Sequence, residues 1–371
     1  MRVLVFGPMI SGHISNWIHG SKEYIDYRIV TLHYDKSISE NVGIGEIYKI
    51  PRLTKTKFDF IYAPVFLLFY FFLLKPELVH VHFFSSYGLI SCVLPRKVKK
   101  ILSVWGSDIN NTIKKRGVLG KIYVKAMKSF CVVNSPARHI TNKIISYFNV
   151  NQERIHTFQY GVDVGFFSDE KTSSIRDDKC ITITSVRNWD NIYNIESFLE
   201  AVIDMKDYDC KGYFFNINIL GRSSSKTTHD KIIELTKKCE GDNYKVNLIG
   251  FIQKEELRSI LHKSDFVLSI PSNDGAPLSL MEGVLCNCFP IVSDIDANRE
   301  LLGNHAMYLN LHDDIDMKSV FSRCVKLIDS NQYRCSIEYN RDTIIKMFDI
   351  NKNTKRMVDI YYRVVSQKEF L

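Results

Sequence analysis

Apolar residues in this chain fall into short, nearly continuous runs separated by longer segments with helical spacing. Arg2–Phe6, Leu78–His82, Ile101–Val104, Phe130–Asn134, Ile181–Val186, Phe215–Leu220, Asn247–Phe251 and Phe289–Ser293 each read as a strand. Such runs suit parallel strands covered by helices on both faces. Glu196–Met205 and Lys352–Val365 read as helices, the second with Met357, Ile360, Tyr361 and Val364 along one side. Phe60–Leu74 is the most apolar run. It falls short of the ~20 residues of a bilayer-spanning helix, contains Pro64 and leads at once into a strand, so it predicts a buried or interfacial helix. The alternation of strand and helix places the chain in the α/β class. Its 371 residues suit two domains, and the polar, charged segment 169–179 reads as the linker that ends a first domain of 1–168.

The stretch from Asp265 to Asp294 carries the densest signal. An apolar strand breaks at Pro271-Ser-Asn-Asp274-Gly275, and Pro277 sits where a helix begins, its missing N–H costing nothing there. Leu278, Met281 and Leu285 share the face expected to pack on the sheet, and Ser279 and Glu282 share one nearer the loop. Asn287 suits a left-handed position after the helix. Strand, tight loop and helix start form a crevice at the carboxyl end of a parallel sheet, where unpaired N–H groups attract phosphate. Two carboxylates beside it, Asp274 and Glu282, point to a ligand that is part phosphate and part hydroxyl, as a sugar nucleotide is. On spacing alone, an ordinary βα unit with Asp274 as a capping acid and Glu282 solvated fits equally well.

The segment NDGAPLSLMEG, followed by CNCFPIVSDIDANRE, resembles the signature of family-four retaining glycosyltransferases with the GT-B fold. The likeness is nearest to members that build bacterial surface polysaccharides such as O-antigen and capsule. It implies two facing Rossmann-like domains with a central cleft, the second over 169–345, and a C-terminal helix over 346–371 crossing back to the first. It also implies a retaining, metal-independent transfer, without a cofactor, from a nucleotide diphosphate sugar to a saccharide acceptor carried on lipid. A UDP-sugar is favoured, with GDP as the main competitor.

In that family an acidic residue, seven others and a Glu frame the donor site. Asp274 then holds the sugar ring and Glu282 the ribose hydroxyls, with Gly275, Ala276, Leu278 and Ser279 lining the diphosphate. Relatives bind the diphosphate with an Arg and, a turn later, a Lys. Arg187 fits the first place, since a guanidinium binds phosphate bidentately, and Tyr193 stands in the second. Gly221 opens a loop near the diphosphate, with Lys226 as added charge, and the loop lacks the second Gly of a P-loop. The backbone at Ile252 takes the place that reads the base. In the first half, Gly12 lies in a loop assigned to the cleft. Trp105-Gly-Ser-Asp108 matches the family's His-Gly-x-Asp with Trp in the His place, and Asp108 reads as an acid for an acceptor hydroxyl or as a helix cap. Gly161-Val-Asp163 and Phe167 keep the spacing of the interdomain passage.

Composition adds the setting. Hydrophobic content of 45% and charge of 24% describe a globular chain with ample core. An immediate apolar strand instead of a leader, and nine cysteines without C-x2-C spacing, predict a cytoplasmic protein with reduced thiols. Residues 1–165 carry 22 Lys/Arg against 10 Asp/Glu, a balance of +12, whereas the rest carries 27 against 31, or −4. The basic half, with clusters at Arg96–Lys100 and Lys114–Arg116 beside the apolar helix, predicts peripheral contact with an anionic membrane surface. No recognition motif makes nucleic acid a partner. His80 and His82 share a strand face without a third ligand nearby, and the pairs Asp207/Asp209, Asp294/Asp296 and Asp314/Asp316 are unremarkable in an Asp-rich chain, so no metal site is expected. Two other classes stay open, the first because Trp105 and Tyr193 replace polar residues. One is a non-catalytic nucleotide-sugar-binding protein, the other an epimerase or phosphorylase-like enzyme on a similar fold.

Overall fold

The structure, a computed structural model, describes residues 1–10, 12–35, 46–56, 58–168, 179–205, 208–223, 225–311 and 314–367. Nearly all of the expected linker, and Asp207, lie outside the described residues. Contacts divide the chain into two units, Met1–Gly161 with Phe348–Leu371, and Val162–Met347.

The first unit is built on seven strands: β1 Arg2–Phe6, β2 Asp26–Thr31, β3 Ile47–Lys49, β4 Leu78–His82, β5 Lys100–Ser103, β6 Val132–Ser135 and β7 Ile155–Thr157. They form one parallel sheet in the order β3-β2-β1-β4-β5-β6-β7. The sheet grows one way from β1 and the other way from β4, so the carboxyl ends of these neighbours part into a crevice. Alternation along β1 sends Leu4 and Phe6 to a face covered by the Asp59–Leu74, Gly117–Lys128 and Arg138–Phe148 helices, where they join Ala63, Leu67, Met127 and Ile144. The helix Ile350–Ser366 serves the opposite face. There Tyr361 Oη lies 2.5 Å from His80 Nδ1, and His80 Nε2 lies 2.8 Å from Ser103 Oγ. Lys99 Nζ donates to the Val365 carbonyl at 2.7 Å, fixing the end of that helix. His80 and His82 are packed ring to ring at 4.1 Å. Among the described residues no group of His, Cys, Asp or Glu is arranged to hold a metal ion.

The Asp59–Leu74 helix runs through Pro64 and buries only a stripe of apolar residues, Ala63, Leu67 and Leu74, leaving Ile61, Val65, Phe69, Phe72 and Leu73 more than half exposed. No helix among the described residues is long and apolar enough to cross a membrane. At the unit's boundary Gly161 has φ +91, and a Cβ there would stand 1.9 Å from the Phe348 carbonyl oxygen. Only glycine fits so close an approach.

The second unit repeats the plan with β8 Cys180–Ser185, β9 Phe214–Leu220, β10 Glu240–Gly241, β11 Tyr244–Gly250, β12 Phe266–Ser269, β13 Phe289–Ser293 and β14 Met307–Leu309. The order is β10-β11-β9-β8-β12-β13-β14, parallel except for β10 against β11. Strand order reverses between β8 and β12, so the switch point of this sheet lies at their carboxyl ends. Ligands of open α/β sheets bind at that point.

Candidate functional site

The loops after β8, β9, β11 and β12 are tied into one rim. Trp189, buried in the loop after β8, donates from Nε1 to the Leu220 carbonyl at 2.9 Å and from its backbone to Arg222 at 3.1 Å. Gly221 follows β9 with φ +101, and a Cβ there would meet the Arg187 carbonyl oxygen at 2.4 Å. Its N–H donates to the Gly250 carbonyl at 2.8 Å, joining the end of β11. Asn194, left-handed at φ 54, donates from Nδ2 to the Ile270 carbonyl at 2.7 Å, and Ser272 N–H returns a bond to the Ile192 carbonyl at 2.8 Å.

Arg187 and Asp274 meet at the switch point. Arg187 Nη2 donates to Asp274 Oδ2 at 2.7 Å and Nη1 to Ser279 Oγ at 3.3 Å, while the guanidinium carbon lies 4.4 Å from the Tyr193 ring centre. The other Asp274 oxygen accepts the Gly275 N–H at 2.7 Å. The paired side chains are only 10% and 15% exposed, so the ion pair acts in a low-dielectric setting. Four residues singled out by the sequence, Arg187, Tyr193, Asp274 and Ser279, are thus brought together. Asp274 is not the cap of the following helix. That position is Pro277, which makes no side-chain cap bond, so the capping alternative falls.

The helix Leu278–Leu285 is buried more completely than its spacing suggests. Leu280 and Val284 are fully buried along with Met281 and Leu285, while Leu278, expected on the sheet face, is half-buried beside Ser279. Gly283 lets the helix lie against β12, where a Cβ would meet the Val267 side chain at 2.6 Å. Asn287 has φ 66, as its place after the helix requires. Glu282 is half-buried, and burial lifts its carboxyl to about 7 against the opposing pull of the Lys254 ammonium. Lys254, on the first turn after β11, also donates to Asp163 at 3.1 Å and stands 4.4 Å from the Phe166 ring centre. The sequence reading passed over Lys254, whose one signal is a cation opening a helix just after the loop at Ile252. Gly275 is buried, and Ala276 and Ile252 are half-buried. Lys226 is exposed at the start of the Lys226–Lys238 helix.

In the first unit, Gly12 is exposed where the helix Gly12–His19 begins after β1. His13, which the sequence reading did not weigh, stacks on Trp105 at 4.4 Å and has Nδ1 2.9 Å from Tyr160 Oη. The indole is thereby covered on one face, and Phe83 meets it edge-on at 5.4 Å. Asp108 corrects an expectation. Its carboxylate is fully buried and accepts backbone N–H groups from Phe84 at 2.6 Å and from Trp105, Gly106 and Ile109 at 3.0 Å each. Burial raises its pKa and the four N–H donors oppose that rise. Asp108 therefore anchors the Trp105 loop to the turn at Phe84 and offers no free oxygen to an acceptor.

Two Rossmann-like units, each with a switch-point crevice and the second lined by an Arg–Asp–Ser group, give the chain the architecture of the GT-B fold. Residues 2–133 match the family model for glycosyl transferase 4-like proteins, and residues 167–340 match that for glycosyl transferases group 1. By these two matches the chain belongs to the glycosyltransferases, 4-like in its first part and group 1 in its second. A glycosyltransferase from Rickettsia africae superposes with a TM-score of 0.77 at 13% identity, covering 99% of each chain. HepE of Anabaena, solved in complex with UDP, gives 0.74 at 12% over 98% of this chain and 100% of its own. Sucrose-phosphate synthase from Thermosynechococcus elongatus gives 0.76 at 10% over 98% and 99%. No curated protein matches by sequence.

Proposed function

We propose that this glycosyltransferase moves a sugar, with retention and without a metal ion, from a UDP-sugar to a lipid-linked saccharide in the assembly of a bacterial surface polysaccharide. The observation that carries the donor side is the meeting of Arg187, Asp274 and Ser279 at the β8/β12 switch point. Arg187 uses two N–H groups there and retains others for diphosphate oxygens. Structural relatives solved with UDP and with UDP-glucose support the choice of base.

In this reading the diphosphate lies against Arg187, Gly275, Ala276 and the helix start at Leu278 and Ser279. The Arg187 guanidinium and the N–H groups of the helix start stabilise the departing nucleotide. Gly221 lets the backbone approach it and Lys226 adds charge at the rim. Tyr193 stacks on Arg187 and keeps its fork aimed. Glu282 accepts from the ribose hydroxyls, and the backbone at Ile252 meets the base. Asp274 faces the sugar ring, whose anomeric carbon gains positive character as the glycosidic bond breaks. Attack by the acceptor hydroxyl on the same face retains configuration. Gly12 and Trp105 serve the acceptor from the first unit, which meets a membrane surface from the cytoplasmic side through its exposed apolar helix and basic clusters.

The test is a thermal-unfolding screen against UDP, GDP, ADP and their sugar conjugates, using the natural protein and Glu282→Ala. Saturation at about 100 times the dissociation constant adds roughly 2.7 kcal/mol, enough to raise the melting temperature by a few degrees. Stabilisation by UDP compounds that weakens in Glu282→Ala is expected. A protein that responds to none of them does not carry this donor site.

A further inference from the structure

A pocket of about 950 Å³ opens in the first unit on the edge of the sheet opposite the switch point. Lys100 is the first residue of β5, and Cys131 and Arg154 immediately precede β6 and β7, so the pocket sits at the amino ends of these three strands. Five cationic side chains line it: Arg96, Lys100, Lys125, Lys128 and Arg154. Among the described residues no Asp or Glu does so.

The two deeper cations are held by neutral groups, oxygens in both cases and for Lys100 also the Phe130 ring, 5.1 Å from its Nζ. Lys100, 3% exposed, donates from Nζ to the Ser91 carbonyl at 3.3 Å and to Ser129 Oγ at 3.0 Å. Arg154 donates to the carbonyls of Cys131 and Lys128 at 3.2 Å each and to that of Phe130. A buried cation without a counter-charge is costly, and burial already pulls the Lys100 pKa down. An anion brought from outside would offset that cost.

The walls say what accompanies the anion. Ile122 lines the pocket, is 49% exposed, and shares the outer side of the Gly117–Lys128 helix with Val118 and Leu119. The turn Ser91–Val93, whose Cys92 lines the pocket, packs against the Asp59–Leu74 helix with its exposed row of Ile61, Val65, Phe69 and Phe72. Both helices cover the same sheet face. A cationic pocket flanked by exposed aliphatic and aromatic side chains fits an amphiphile with an anionic head.

We propose that this pocket receives the phosphate headgroup of an anionic membrane lipid and so seats the first unit on the bilayer at a fixed point. The proposal rests on the membrane contact suggested above and adds to it a discrete headgroup site at the opposite ends of the first sheet's strands from that unit's switch point.

The experiment is co-sedimentation with phosphatidylcholine vesicles, with and without phosphatidylglycerol, for the full chain and three double variants. Lys125→Gln/Lys128→Gln removes two exposed pocket cations. Lys114→Gln/Lys115→Gln makes the same charge change outside this pocket. Phe69→Ser/Phe72→Ser breaks the apolar row. Expected is a preference for phosphatidylglycerol vesicles that falls about tenfold or more in the pocket variant and less than about threefold in the control. The Phe variant should lose binding to both vesicle types. Equal losses in the pocket and control variants would reduce the effect to diffuse surface charge and overturn the site, leaving membrane contact intact. A natural protein that sediments with neither vesicle overturns the membrane reading and the site with it. Soluble glycerol 3-phosphate stabilising the natural protein but not the pocket variant, without any pocket-dependent vesicle binding, assigns the pocket to a free anion and also overturns the proposal.

Discussion

At the scale of single residues, Glu282 and Gly221 make the sharpest claims. The Glu282 carboxyl is held near 7 by burial, so close to neutrality it is only partly ionised. Ribose hydroxyls donate to it best as a carboxylate, so donor binding should expel a proton. UDP affinity is expected to rise between pH 6 and 8, with proton release measurable by calorimetry in buffers of different ionisation enthalpy. Glu282→Gln should flatten the pH profile. Gly221→Ala places a Cβ against the Arg187 backbone at a positive φ. A cost of about 1–3 kcal/mol is expected, together with loss of the UDP-induced rise in melting temperature, because the loop that moves is the one carrying Arg187. Asp274→Ala strips the partner from a largely buried guanidinium. It should destabilise the second unit by roughly 3–5 kcal/mol, a drop readable in urea unfolding. Asp274, Ser279 and Glu282 were legible because a strand–loop–helix motif keeps them close together, whereas Arg187 and Tyr193, some way earlier in the chain, stood out only through the family resemblance. Lys254 and His13 were harder to read, since each acts beside residues far away in the chain.

Elements were legible in proportion to their burial. β1, β4 and β13 take the bounds their apolar runs predict, being covered on both faces. The rim strands β3, β7 and β14 span three residues each, too few for a period to show. Helix Leu278–Leu285 misled in the other direction. Its Leu280 and Val284 are as fully buried as Met281 and Leu285, so one apolar face could not describe it. The helix Ile350–Ser366 depends on its polar contacts as well. Tyr361→Phe leaves buried His80 Nδ1 without its partner and should cost about 1–3 kcal/mol. The same histidine gives a pH signature. Burial lowers its pKa from 6.5 to about 3, so between those values the unfolded chain holds more protons than the folded one. Stability must therefore fall as pH drops through this window, by up to about 1.4 kcal/mol per pH unit. Urea midpoints at pH 7 and pH 5 would show it, with a smaller difference in His80→Gln.

At the scale of the whole molecule, two sheets of the same construction have been given opposite electrostatic character. Met1–Gly161 with Phe348–Leu371 carries 27 Lys/Arg against 12 Asp/Glu, or +15, and Val162–Met347 carries 22 against 29, or −7, although their strand plans are nearly the same. Fold alone would not separate them. Five cations of the first unit, Arg96, Lys100, Lys125, Lys128 and Arg154, line one pocket, which makes salt a useful probe. Vesicle binding should weaken as ionic strength shortens the reach of exposed charges, while UDP stabilisation, made by mostly buried groups of the second unit, should change less.

The contact between Gly161 and Phe348 has a consequence for how the protein is made. The chain leaves the first unit at Gly161 and returns to it at Phe348, with the entire second unit inserted between. On the ribosome, the part of the first sheet where His80 meets Tyr361 must therefore wait for its cover until residues 350–366 have been synthesised. A chain released after Met347 would hold a complete second unit beside an unfinished first one, and limited proteolysis should digest its amino-terminal half first.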